Sequence, residues 1–228
     1  MEGIESIYNK DATELSLSEL KRFLSWCEYT LHYAPVIIGG WAVYAFTPKI
    51  GSIDIDIVLK KKDFKKLAVF FSENGYAKKE DEPNIYFKEA MLPSGKTETM
   101  RFDLIALESK YAISREPNVS IPIRLVEKHS KEISFERQKI IVPEKELLLI
   151  QKVAAYRNRE DLARTGHLRL AFGQREWNER KIAKDKEDIK NLIESGIDFE
   201  KLEKLLEKTG FKKIYEDALK EIDAFRQK

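Results

Sequence analysis

The chain of 228 residues carries 41 Lys and Arg against 39 Asp and Glu, with 43% hydrophobic residues, three His and one Cys. This length buries a real core, as one large domain or two small ones, while a lone Cys27 excludes an intramolecular disulfide or a Cys-rich zinc site and points to a reducing, cytoplasmic setting. The longest mostly apolar run, Val36 to Phe46, is well short of the roughly 20 residues that cross a bilayer, and the acidic N-terminus does not read as a signal peptide.

From Leu15 to Tyr33 apolar residues recur at helical spacing, with Ser16 or Ser18 as the expected cap and Pro35 as the stop. Val36-Ile37-Ile38 reads as a short strand that runs into Gly39-Gly40, and Trp41 to Phe46 as a short helix. Strict alternation follows: Ile53, Ile55 and Ile57 point one way, Ser52, Asp54 and Asp56 the other. Asp63 to Phe71 is expected to be helical, Ile85 to Glu89 and Thr99 to Leu107 extended, with a hairpin turn at Pro93-Ser94-Gly95. Shorter extended pieces are expected at Ile121 to Ile123, Ile133 to Phe135 and Lys139 to Val142. After Pro143 the period changes from 2 to 3.6, giving helices over Glu144 to Arg157, Asn178 to Ile193, Phe199 to Glu207 and Phe211 to Phe225. The expected division is residues 1–143 as an α+β domain and 144–228 as a helical domain.

Charge is distributed unevenly across that division, with a net −1 over residues 1–146 and +3 over 147–228. Six of the twelve Arg, at 157, 159, 164, 169, 175 and 180, fall within 24 residues. Arg binds phosphate through a planar fork, so the cluster makes a polyanion such as RNA a candidate partner; a solvated helix face is the plain alternative.

Asp is disfavoured inside strands, yet Asp54 and Asp56 share one face of the most β-prone run, with Cα atoms about 6.6 Å apart by strand geometry. A hard divalent cation offsets such repulsion. Asp103, in the apolar segment Arg101-Phe102-Asp103-Leu104-Ile105, is a third carboxylate of the same kind. If the two strands are neighbours, the three can hold two ions around a phosphoryl transfer. Gly39-Gly40, at the start of a helix, suits close approach of an anion, and Ser52 adds a hydroxyl on the Asp54/Asp56 face.

The stretch IIGGWAVYAFTPKIGSIDIDIVL, followed by RFDLIAL, resembles the nucleotidyltransferase superfamily with a polymerase-β-like palm. It is most similar to the AbiEii-type toxin group, with the antibiotic nucleotidyltransferases close behind. The resemblance implies an α+β palm, a mixed sheet with flanking helices, followed by a C-terminal helical bundle. It implies two Mg²⁺, for which Mn²⁺ can substitute, held by Asp54, Asp56 and Asp103, with Asp103 helping to deprotonate the attacking hydroxyl. Gly39, Gly40 and Ser52 would hold the triphosphate of an NTP such as ATP. The toxin group often has Arg two residues before the motif Ser; Ile50 stands there, with Lys49 adjacent.

In the helical half, Lys152 shares a stripe with Leu148, Ala155 and Arg159, and Asp185 one with Ile182, Ile189 and Leu192. A buried Asp185 should meet a cation, and Asp188 lies at the edge of its face. The resemblance extends to a Lys on the first helix after the palm and to the segment Lys184-Asp185-Lys186-Glu187-Asp188. It makes Lys152 a catalytic, phosphate-binding candidate and Asp185 a nucleotide-binding one, against a structural ion pair between helices. His32, His129 and His167 have no metal-like spacing, Trp41 and Cys27 read as core, and Lys60-Lys61-Lys62 as a solvated edge.

The expected activity is transfer of a nucleoside monophosphate from an NTP to a hydroxyl of RNA, with a tRNA end as the candidate acceptor and a toxin with an antitoxin partner as the candidate setting. Nucleotidylation of a small antibiotic-like molecule and a non-catalytic nucleotide- or RNA-binding role are the alternatives.

Overall fold

A computed structural model describes residues 8–80, 82, 84–113, 121–165 and 172–224. The chain opens with helix α1 (Lys10–Leu31). The cap is Asn9, which accepts a hydrogen bond from the Asp11 N–H at 2.8 Å, and not Ser16 or Ser18. The polar first turn carries no apolar periodicity, so sequence spacing places the start five residues late. Ser16 is buried about two turns further on, where it donates to the Ile53 carbonyl (3.3 Å) and accepts from the Trp41 indole N–H (3.1 Å).

Strand β1 (Val36–Ile38) leads directly into α2 (Gly39–Phe46), then β2 (Asp54–Leu59) and α3 (Phe64–Glu73). Strands β3 (Ala77–Lys78), β4 (Ile85–Met91), β5 (Thr97–Ala106), β6 (Tyr111–Ile113) and β7 (Ile121–Pro122) follow. The extended piece expected through Ile123 ends at Pro122. Ile123–Lys128 instead forms a short helix, α4, whose Ile123, Leu125 and Val126 are buried. After it come β8 (Ser130–Phe135), β9 (Gln138–Pro143), α5 (Lys145–Thr165), α6 (Phe172–Glu194), α7 (Phe199–Thr209) and α8 (Lys212–Ala224). Phe225 and His167 lie outside the described residues.

The fold is α+β. Seven strands form one mixed sheet in the order β3-β4-β5-β2-β1-β9-β8, and β6 and β7 pair separately. The central pairing is parallel, with Asp54 opposite Arg101 and Asp56 opposite Asp103. On its other side β2 runs antiparallel to β1, bringing Ile38 opposite Asp56. Alternation does the rest. Ile55 and Ile57 on β2 and Met100 and Phe102 on β5 are fully buried, and Phe102 packs on Phe23 of α1 and Phe71 of α3. Asp54, Asp56, Arg101 and Asp103 are left on the opposite face.

Helix α5 closes that second side. Leu147, Leu148, Leu149, Ile150, Val153, Ala154 and Tyr156 are all buried, on every side of the helix, and one apolar cluster runs from α1 and the sheet through α5 to α7 and α8. Among the described residues no helix is long and apolar enough to cross a membrane.

Candidate active site

A cavity of about 630 Å³ lies between the polar face of β2 and β5, the start of α2, and α5 and α6. Gly39, Gly40, Ser52, Asp54, Asp56, Asp103, Lys152 and Asp185, expected from sequence to act together, all line it.

The register explains the carboxylate wall. Asp56 and Asp103 are direct neighbours across the parallel pair, and Asp54 is two residues away on the same face. Each is in a different electrostatic state. Burial alone would raise Asp54, but the Lys181 ammonium paired with it holds it below the usual carboxylate range. Burial raises Asp103, partly offset by Arg101, whose guanidinium grips both carboxylate oxygens at 2.6 and 2.9 Å. Asp56 forms no ion pair among the described residues, and burial and the charges of Asp103 and Asp54 push it up to about 6.

These residues fit a divalent cation in their donor chemistry. All three supply oxygen, and the mutual repulsion felt at Asp56 is what a 2+ charge relieves. In the geometry observed, however, Lys181 and Arg101 neutralise two of them. Among the described residues no three His, Cys, Asp or Glu side chains converge as a formed metal site.

The glycines serve a purpose that spacing did not reveal. Gly39 follows the residue opposite Asp56, so the chain turning into α2 crosses that carboxylate; a Cβ there would overlap it, and φ is +69°. A Cβ on Gly40 would sit 2.6 Å from Ser52 Oγ and 3.3 Å from Lys184 Nζ. The pair lets β2 and α6 close against α2, and no side chain caps the α2 N-terminus at the cavity edge.

The opposite wall is cationic and knitted. Lys152 contacts Asp185 Oδ1 at 3.2 Å and Asp188 Oδ2 at 2.7 Å, Lys184 holds both oxygens of Asp188 at 2.9 and 2.8 Å, and Arg159 pairs with Asp185. Asp188 is 1% exposed, buried outright instead of at the edge of its face. Burial and the neighbouring Lys152 charge lower Lys184 to about 8, against the pull of Asp188. Lys181 also lies over the Trp177 ring, 5.3 Å from its centroid, and Trp177 stands 38% exposed at the cavity lip.

Sequence reasoning missed Arg101, Lys181, Trp177 and Gln151. Arg101 was detectable, two residues before Asp103 and hence on the same strand face. Lys49 turns away from the cavity to Asn191 and Glu194. Of the Arg cluster, Arg157 and Arg164 pair with Glu221 and Arg159 with Asp185; Arg175 and Arg180 are exposed; Arg169 lies outside the described residues. Trp41 and Cys27 are buried, Lys60 to Lys62 exposed, and His129 contacts Glu144 at 3.3 Å.

No family model and no curated protein matches the chain. Solved structures similar to it in fold include three nucleotidyltransferase-type proteins. The lincomycin-bound lincosamide antibiotic adenylyltransferase LnuA is 18% identical with TM-score 0.46, over 78% of this chain and 97% of that one. The antibiotic-resistance factor ANT(2'')-Ia is 15% identical with TM-score 0.48, over 94% and 99%. An antigenic nucleotidyltransferase-like protein from Paracoccidioides brasiliensis is 13% identical with TM-score 0.49, over 91% and 93%.

Proposed function

We propose that the chain is a nucleotidyltransferase, transferring a nucleoside monophosphate from an NTP to a hydroxyl. The observation that carries the reading is the register of Asp54, Asp56 and Asp103 on two parallel strands, facing a wall of Lys152, Lys181, Lys184 and Arg159 across one cavity. Carboxylates on one side and cations on the other suit a metal-bound triphosphate.

Asp54, Asp56 and Asp103 would hold divalent ions, magnesium in this reading, which when bound neutralise charge on the phosphates and lower the barrier to attack. The acceptor oxygen bonds to the α-phosphorus, the α–β phosphoanhydride bond breaks, and pyrophosphate leaves. Asp103, raised by burial, takes the acceptor's proton. Lys152 and Lys184, the latter beside Gly40, would neutralise the β- and γ-phosphates, and Asp185 and Asp188 hold them in place. The 1–143 palm and the 144–228 helical unit thus each contribute one wall.

For the acceptor we favour an RNA end. Trp177 offers an exposed aromatic face at the cavity lip, with Arg175 and Arg180 exposed on the same helix, a combination suited to stacking a base and neutralising phosphate. Incubation with labelled NTPs, total RNA, protein and aminoglycoside or lincosamide acceptors tests both levels. Label transferred to RNA by wild type and lost in Asp54→Ala supports the proposal. Transfer to a small molecule replaces the acceptor, and no transfer to any acceptor, with wild type and Asp54→Ala indistinguishable, removes the enzymatic reading. Growth arrest on expression, relieved by a co-expressed partner, tests the toxin role.

A further inference from the structure

Gln151 is 3% exposed, lines the cavity, and has no hydrogen-bond partner among the described residues for either its Oε1 or its Nε2. Buried amides are ordinarily paired, so an orphaned donor and acceptor at a cavity wall point to something that occupies the cavity. The surroundings narrow what that is. Leu148, Gln151, Lys152, Ala155, Asn158 and Arg159 form one stripe of α5 and all line the cavity. Lys152 and Arg159 are engaged with Asp185. What remains is the partly exposed Ala155 over a fully buried Leu148, with the Gln151 amide between them and a second amide, Asn158, seven residues on and also buried.

A neutral amide can donate to a phosphate oxygen or lend its carbonyl to a hard cation, but either use satisfies only one half of it, and here both halves are unpaired. Its distinguishing property is a donor beside an acceptor in one plane. The matching partner is a flat group with apolar faces and an edge that alternates donor and acceptor, and the nucleobase is the part of an NTP with that chemistry.

We infer that Gln151 is the base-reading residue of this site, its amide pairing with the polar edge of the nucleobase while Ala155 contacts the ring. This rests on the nucleotidyltransferase reading and adds to it the residue that sets nucleotide preference. The unpaired amide is a cost borne by the free protein, and nucleotide binding removes it. Gln151→Leu therefore loses base discrimination without losing stability, since it deletes an unsatisfied polar group from a buried position.

The test is calorimetric titration, in magnesium, of ATP, GTP, CTP, UTP and inorganic tripolyphosphate into wild type, Gln151→Leu and the unbranched Gln151→Met, with a thermal melt of each. The expected result is one NTP bound about tenfold or more tighter than the others by wild type, and a spread compressed to about threefold in both variants. Tripolyphosphate affinity stays unchanged and the melting temperature is equal or higher. Equal affinity of wild type for all four NTPs overturns the inference, as does a preference that survives both substitutions. So does a melting temperature lowered in both variants, which marks a structural residue. Wild type that binds neither NTP nor tripolyphosphate overturns the nucleotide reading itself, and this inference with it.

Discussion

Lys181→Met deletes the ammonium that pairs with Asp54 and leaves three carboxylates sharing one wall. Removing one partner of a buried ion pair costs about 3–5 kcal/mol. Two features of the site lower that figure. Asp54 and Lys181 side chains keep 16% and 8% of their exposure, so solvent from the cavity relieves part of the charge. Asp54 can also escape by taking a proton. From an ordinary value of 3.8 to pH 7 this costs about 4 kcal/mol at about 1.4 kcal/mol per unit, which sets the ceiling. The expected loss is about 2–3 kcal/mol, or about 5–10 °C in the melting midpoint of a chain this size. Calorimetry in EDTA should show it, with Lys190→Met, a partly exposed lysine 3.7 Å from Glu187, close to wild type. Millimolar magnesium should then restore most of the loss in the variant and stabilise wild type less, because in wild type the ion must displace the ammonium. A variant that melts within about 1 °C of wild type in EDTA refutes the energetic reasoning. Equal stabilisation of both proteins by magnesium shows that Lys181 does not stand in the ion's place.

Gly39→Ala and Gly75→Ala both put a side chain on a left-handed backbone, at φ 69° and 76°, but only Gly39 faces an obstruction, the Asp56 carboxylate. Gly75→Ala should cost about 1 kcal/mol in urea unfolding and Gly39→Ala clearly more, with loss of transferase activity; equal costs would contradict the close approach. Cys27 is fully buried, and burial with the nearby Asp63 charge pushes its thiol up to about 12. Iodoacetamide at pH 8 should modify it only after denaturation, and rapid labelling of the native protein would disprove its burial. For Lys184, held near 8 against 10.5, the unfolded chain binds more protons between those values, so this group adds stability as pH rises through that window. The stability difference between wild type and Lys184→Met should therefore shift towards wild type by about 2 kcal/mol from pH 8 to 10; a flat difference by denaturant titration would rule the shift out.

The carboxylate wall was legible because it rests on local rules: strand alternation fixes the shared face of Asp54 and Asp56, and Asp103 repeats the anomaly of an acid in an apolar strand. That β2 and β5 are neighbours was an assumption, which the register Asp56 to Asp103 bears out. The cationic wall was less legible because α6 buries charges beside its apolar residues. Ile189 and Leu192 are fully buried, as their spacing predicts, but Ile182 is only half-buried while Lys181, Lys184, Asp185 and Asp188 are buried, so the inward face is mixed. Tertiary pairing between charges 127 residues apart, Asp54 and Lys181, leaves no local trace. α4 was missed for a different reason: its isoleucine, leucine and valine continue the extended signal of Ile121, and six residues are too few to establish a helical period. Gln151, beside Lys152, leaves no local trace in the sequence, because an amide in an apolar helix stands out only where the fold leaves it without a partner.

The first half of helix α5, buried on all sides, has a consequence for how such a chain can change over evolutionary time. It begins the segment that would choose the acceptor, yet its leucines pack into the same apolar cluster as the sheet that would carry the chemistry. The seam at Pro143 is therefore a change of secondary structure without a change of core. A new acceptor preference cannot arrive by exchanging everything after that residue as a cassette, since the exchange would break the apolar cluster that the sheet shares with α5. It has to come by substitutions on the cavity stripe of α5 and on the lip of α6, with the packed faces of both helices held constant.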